Sequence, residues 1–200
     1  MNKLSMLHVT ALATMILSSP MAAHAEETAS TKAYALAMST MMDGMLIDPT
    51  GKPDLDFAKG MIPHHQGAID MAKVELEFGK DPGIRKLAEA VVAAQTSEID
   101  LMTKWIANSN DKTLPPAPES TKANQLAMNT MMAGMMVTYT GNPDVDFVTG
   151  MIPHHQGAID MAKVELQFGK DPTMQKLASD MIKAQESEIA FMQDWLKKRP

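Results

Sequence analysis

Gly60–Leu76 reads GMIPHHQGAIDMAKVEL, and the same seventeen residues return as Gly150–Leu166. Extending the match outward at a constant offset of 90 aligns Thr31–Asn108 with Thr121–Lys198 without a gap, and 49 of the 78 paired positions are identical. That period is too long, and two copies are too few, for a solenoid. The chain is a tandem duplication, with helical repeats over residues 31–108 and 121–198, and its fold follows from what one copy can form. Between the copies, Ser109–Ser120 (SNDKTLPPAPES) is rich in proline and polar residues and reads as a stiff, solvated linker.

Each copy reads as three helices, with no strand signal. The first covers about Lys32–Ile47 and stops at Asp48-Pro49-Thr50-Gly51. The second starts near Asp54, a candidate N-cap, and stops at Gly79, a candidate C′ glycine. The third opens on Asp81-Pro82, an N-cap followed by proline at N1, and runs to about Ile106. Asp144, Gly169 and Asp171-Pro172 repeat these signals. The expected fold is all-α, a bundle built from two tandem three-helix repeats. The repeats could form two small bundles or one. A fused bundle, with the second and third helices of both copies at its centre, brings the two His-His pairs together and is the favoured form.

Residues 1–25 read as a signal peptide. Lys3 is the positive start, Leu4–Leu17 is mostly apolar, and Ala23-His24-Ala25 has the form of a cleavage site. No later stretch reaches the ~20 apolar residues of a membrane span, so no stable membrane anchor is expected. Cleavage after Ala25 implies a periplasmic protein whose residues 26–30 form a disordered tail. It leaves 17 of the 21 methionines, and every remaining histidine belongs to a pair, His64-His65 or His154-His155.

Composition excludes several classes. The chain has no cysteine, which removes disulfides, thiolate metal sites and thiol nucleophiles. A net charge of −6 with 4% aromatic residues provides neither a basic face nor stacking platforms for nucleic acid. No nucleophile elbow or recognisable Ser/His/Asp spacing supports a hydrolase, so no catalytic residue is assigned and the chain is not expected to be an enzyme.

The methionines are patterned. Met38, Met41, Met42 and Met45 follow i, i+3, i+4, i+7 spacing and share one helix face, as do Met128, Met131, Met132 and Met135, with Met136 beside them. Such a stripe also suits a plain core. Yet a core usually mixes Leu, Ile and Val, because methionine specifies shape poorly. Thioether sulfur is a soft ligand that selects Cu(I) over harder ions, and Ag(I) should behave likewise.

On a helix advancing about 100° per residue, Met61, His64, His65, Met71 and Glu75 fall on one side. Copy two places Met151, His154, His155, Met161 and Glu165 likewise. Imidazole alone does not choose a metal; the surrounding thioethers point to Cu(I). Pro63 and Pro153 precede the pairs and imply a kink or a fresh N1 position. On the third helix, Glu98 and Glu188 interrupt an apolar face. They suit a carboxylate that fixes a metal-bound imidazole, or a residue at the bundle rim. Met102, Met174, Met181 and Met192 suit ordinary core. Protonation should weaken a His-dependent site below about pH 6.

The block MIPHHQGAIDMAKVEL, with the later Gln-x-Ser-Glu-Ile followed by Met and Trp, resembles the domain of unknown function 305 family. The resemblance implies an all-helical, ferritin-like fold. It also implies a periplasmic protein that binds copper or silver through Met61, His64, His65, Met71 and their copy-two partners. The expected function is a Cu(I)/Ag(I) buffer or carrier in copper resistance, with metal ions and a copper efflux or oxidase protein as partners. Two alternatives predict otherwise. A helical partner-binding protein would use the Met surface without metal. A ferritin-like di-iron oxidase would need Glu-x-x-His, which is absent.

Overall fold

The structure is a computed structural model that describes residues 28–109 and 116–199. They form six helices: α1 (Ala29–Gly44), α2 (Pro53–Phe78), α3 (Pro82–Asn108), α4 (Pro118–Gly134), α5 (Pro143–Phe168) and α6 (Pro172–Lys197). Among the described residues there is no strand, and no helix is long and apolar enough to cross a membrane. The expected signal peptide, 1–25, and the middle of the expected linker, 110–115, lie outside the described residues. Ala29 and Ser30, expected in a disordered tail, form the first turn of α1, and Pro118–Ser120, expected in the linker, open α4.

Local chemistry explains where the helices start and stop. The Thr28 hydroxyl accepts from Thr31 N–H at 3.1 Å, so α1 begins three residues earlier than its apolar spacing suggests. It also stops earlier, at Gly44, where the Met45 N–H turns back onto the last carbonyls. α3 and α6 start as expected, with the Asp81 and Asp171 carboxylates accepting from the second and third N–H groups of each helix. Gly79 and Gly169 end α2 and α5 as expected, but in extended backbone, φ −67° and −62°, and not left-handed. Glycine suits them because an added Cβ would strike the Glu75 or Glu165 carboxylate, one turn back.

Asp54 is not the N-cap of α2. Lys52 takes that position and Pro53 fills N1, where its missing N–H is no loss. The Asp54 carboxylate instead reaches the other repeat, accepting from Lys170 N–H at 2.9 Å and Asp171 N–H at 2.7 Å. Asp144 returns the favour, accepting from Lys80 N–H at 2.9 Å and Asp81 N–H at 2.7 Å. Each repeat therefore caps the third helix of the other, and the two halves form one fused bundle.

α2 and α5 cross antiparallel at its centre. Gly60 lies against Met161, His64 against His154, and Gly150 against Met71. The first and last contacts exchange under the offset of 90, so a pseudo-twofold axis passes near the His64–His154 contact. α3 packs on α2 and α6 on α5, while α1 and α4 lie alongside them. Pro63 and Pro153 sit inside continuous helices, which excludes the fresh-start reading. Their rings instead receive the ends of α1 and α4: a Cβ at Gly44 would stand 3.1 Å from Pro63 Cβ, and one at Gly134 3.2 Å from Pro153 Cβ.

Gly67 of α2 packs directly against the Met41 side chain of α1. A Cβ there would fall 2.5 Å from Met41 Cγ and 2.7 Å from its Sδ, near the fixed stem of the side chain. Gly67→Val should therefore lower unfolding free energy by about 2 kcal/mol through overpacking. A urea midpoint equal to that of the parent chain would show that α1 yields without strain.

Candidate metal centre

The four histidines form a row through the middle of the bundle. Ring centroids are 6.1 Å apart from His65 to His64, 3.8 Å from His64 to His154, and 6.2 Å from His154 to His155. All four side chains are fully buried. The row exists only in the fused bundle, since its central contact joins the two repeats.

Its outer members are held by carboxylates from the third helices. His65 Nε2 lies 2.7 Å from Glu98 Oε2, and His155 Nε2 lies 2.6 Å from Glu188 Oε2. A carboxylate accepts, so each Nε2 carries a proton. His154 Nε2–H likewise donates to the His64 carbonyl at 3.1 Å. In these three rings the Nδ1 atom has no hydrogen-bond partner among the described residues, and His64 has none there on either nitrogen. Native interiors rarely leave buried polar atoms unmatched, and each exception requires an explanation. A neutral ring protonated on Nε2 presents a lone pair on Nδ1, the form that ligates metal. A carboxylate or carbonyl that accepts from Nε2–H in this way fixes both tautomer and ring direction.

Burial holds His64 and His154 well below the ordinary histidine range, with the neighbouring histidines adding to the shift. Both rings are therefore neutral at physiological pH. Acid weakening of a site built on them should set in lower than the pH of about 6 expected for an unperturbed imidazole.

Methionines pack against the glycines that flank His64 and His154. Gly60 and Gly67 lie one turn on either side of His64, as Gly150 and Gly157 do for His154. Gly60 takes the Met161 methyl, Gly67 takes Met41, Gly150 takes the Met71 methyl and Gly157 takes Met131. Met61 and Met151 are fully buried on the same helices. The two methionine stripes converge: Met41, Met45, Met131 and Met135 share one apolar cluster with Met61 and Met161, and Met38, Met128 and Met132 pack partly buried against it. Met42 is 37% exposed and lines a cleft of about 280 Å³ with Met45, Met128, Met131 and Met132. Met71 and Met151 lie in a second cluster, at the other end of the core. Among the described residues no group of three His, Asp or Glu side chains is placed to hold an ion.

Two features were not anticipated. Met102, Met174 and Met181 join the same cluster as the stripes, because the antiparallel crossing lays the start of α6 beside the start of α2. Glu75, although on the His-bearing side of its helix, lies about 15 Å further along it, at 1.5 Å per residue. There it is fully buried, and its Oε2 accepts from the Tyr34 hydroxyl at 3.4 Å. Glu165 is buried at the matching place in copy two. Burial, followed by the charge of Asp144, pushes Glu75 up to about 8. The folded chain thus keeps a proton that an unfolded chain releases above the ordinary value of 4.5. The stability this proton provides is complete below that value and is lost as pH rises towards about 8. Glu75→Gln should remove this slope from a series of urea midpoints; an unchanged slope would place its origin elsewhere.

Comparison with known proteins follows the same lines. The sequence profile of a domain of unknown function, DUF305, matches residues 54–196. Protein L153 of Acanthamoeba polyphaga mimivirus is 43% identical over 56 residues, 28% of this chain, and the match spans only 37% of that relative. Among solved structures, CopM in the apo form is 32% identical with a TM-score of 0.57, covering 73% of this chain and 97% of CopM. CopM in the Cu(I)-bound form is 34% identical with a TM-score of 0.56, covering 72% and 95%. A DUF305 protein from Streptomyces coelicolor is 25% identical with a TM-score of 0.58, covering 76% and 94%. With its profile match running from the start of α2 to the end of α6, the chain belongs to the DUF305 family.

Proposed function

We propose that this protein binds Cu(I) and Ag(I) in the periplasm and acts as a buffer or carrier, not as an enzyme. The observation that carries the reading is the buried row of imidazoles. Three of its members have the tautomer fixed by Nε2–H bonds and Nδ1 unpartnered, in a bundle whose helices seat methionines one turn away. Imidazole and thioether together suit a soft monovalent cation. The similarity to CopM, which has been crystallised in Ag-bound, Cu(I)-bound and Cu(II)-bound forms, supports the same reading. Export with cleavage after Ala25 fits the absence of cysteine, since thioethers hold Cu(I) in an oxidising compartment without forming disulfides.

In this reading the residues have distinct tasks. His64, His65, His154 and His155 supply nitrogen donors, with Met61, Met71, Met151, Met161 and the two stripes supplying sulfur. Glu98 and Glu188 hold the outer imidazoles. Bound ion would be passed to a copper efflux or oxidase protein. The decisive experiment is an anaerobic titration of the purified chain against a Cu(I) chelator of known affinity, paired with elemental analysis of protein isolated from its own compartment. Copper or silver bound in competition with the chelator is the expected result. A chain that never takes Cu(I) or Ag(I) from the chelator would overturn the proposal.

A further inference from the structure

The two ends of the pseudosymmetric bundle are not alike. At one end, Met45 just past the end of α1, Met128 from α4 and Met161 from α5 line a single cavity of about 60 Å³ together with Gly60. Pro49 and Asn124 are also part of its wall. Met45 and Met128 belong as well to the wider open cleft beside it. Gly60 is what leaves room: a Cβ there would stand 3.0 Å from the Met161 methyl, one turn before His64. The charged wall residues, Asp56 and Lys59, are of opposite sign.

The offset of 90 maps these three methionines onto Met135, Met38 and Met71, of which Met71 packs against Gly150 in one apolar cluster while Met38 and Met135 belong to the other. The wall differs. Asn124 and Pro49 map onto Tyr34 and Tyr139. Tyr34 is fully buried, stacks on Tyr139 with centroids 6.0 Å apart and planes at 15°, and donates to the Pro143 carbonyl at 3.2 Å. Two aromatic rings thus stand where the first end has a half-buried Asn124 and an exposed Pro49.

We propose that Met45, Met128 and Met161 form a three-thioether site for a monovalent soft cation, Cu(I) or Ag(I), and that ions reach the buried histidines through this end. The Tyr34–Tyr139 stack closes the equivalent route at the other end. Three thioethers, with both oxygens of the nearby Asp56 carboxylate already accepting from Thr50 and Gly51, favour a soft monovalent ion over a hard divalent one. The site draws the C-cap residue of α1 from the first repeat and two helices from the second, so no single copy contains it. It lies between the solvent-open cleft and the helix turn that leads to His64, which gives an ion soft ligands along its way inward. The inference rests on the soft-metal function proposed above.

The test uses Ag(I) as the probe, with the mature chain, and follows both the final stoichiometry and the rate of uptake. Met45→Leu/Met128→Leu/Met161→Leu keeps side-chain volume while removing all three sulfurs. It should bind about one ion fewer per chain and load the rest about tenfold more slowly, a change equivalent to about 1.4 kcal/mol on the barrier. Asn124→Tyr, which removes no sulfur, should also slow uptake. Tyr34→Asn, which opens the opposite end, should speed it. Wild-type binding of Ag(I) with the same rate and stoichiometry in all three variants would overturn this site and leave the general function intact. Failure of the wild-type chain to bind Ag(I) would instead overturn the function on which the site rests.

Discussion

Replacing His64, His65, His154 and His155 together by alanine should lower Cu(I) affinity by more than about 100-fold, because it would remove the proposed nitrogen donors themselves, whereas loss of a carboxylate that only orients such a donor accounts for about 10–100-fold. The argument rests on tautomers. Glu98 and Glu188 each bind the Nε2–H of an imidazole, and the His64 carbonyl binds that of His154. With Nε2 engaged in each ring, the Nδ1 atoms of His65, His154 and His155 are buried with no hydrogen-bond partner among the described residues. The methionine stripes remain in the quadruple variant and should retain weak, pH-insensitive Cu(I) binding, since a thioether does not titrate. Four alanines also leave cavities in the core, so the companion variant Glu98→Gln/Glu188→Gln matters. Both carboxylates are about a quarter exposed, 23% and 24%, and the amides keep their volume. This pair should lower affinity about 10–100-fold, with the urea midpoint little changed. Parent-like affinity and stoichiometry in both variants would remove the histidines from the site and leave the thioethers as the sole ligands.

Much of this centre was legible because it depends on local periodicity. The spacing of His64 and His65 from Met61 on one helix, and of Glu98 within an apolar face, placed the imidazoles and their carboxylates before any tertiary contact was known. The structure joins them at 2.7 Å and 2.6 Å in the two copies. The starts of α3 and α6 were legible for the same reason, since an Asp-Pro pair is a complete local signal. What periodicity does not carry is which helix another helix meets, and at what height. Glu75 shares the histidine face but, three turns along, meets Tyr34. Met174 and Met181 read as ordinary core, yet the antiparallel crossing of α2 and α5 brings them into the stripe cluster. The difference between Asn124 and Tyr34 is a pair of letters in an alignment of the copies; its consequence appears only where the wall of a cavity is formed.

Asp54 shows the same limit and yields the second large effect. Its sequence context offers a helix cap, but its carboxylate binds the N–H groups of Lys170 and of Asp171, the residue that caps α6 in the other repeat. Asp54→Ala should lower unfolding free energy by about 2–4 kcal/mol, because it strands the Lys170 and Asp171 N–H groups in a part-buried setting. Asp144→Ala should act alike through Lys80 and Asp81. The two carboxylates lie at opposite ends of the α2–α5 crossing, each about ten residues from its centre, which separates them by roughly 30 Å. Their effects should therefore add in the double variant. Because the caps join the repeats and the His64–His154 contact spans them, loosening the caps should also loosen the metal centre, and the double variant should release Ag(I) faster at temperatures where the helices themselves are still formed. Circular dichroism and chelator-driven release, recorded on the same samples, separate the two events. Simultaneous loss of helix and metal would mean that the repeats and their helices form one indivisible cooperative unit. Unaltered stability in both single variants would show that the Asp carboxylates are replaced by water at no cost, and that apolar contact between α2 and α5 alone holds the halves together.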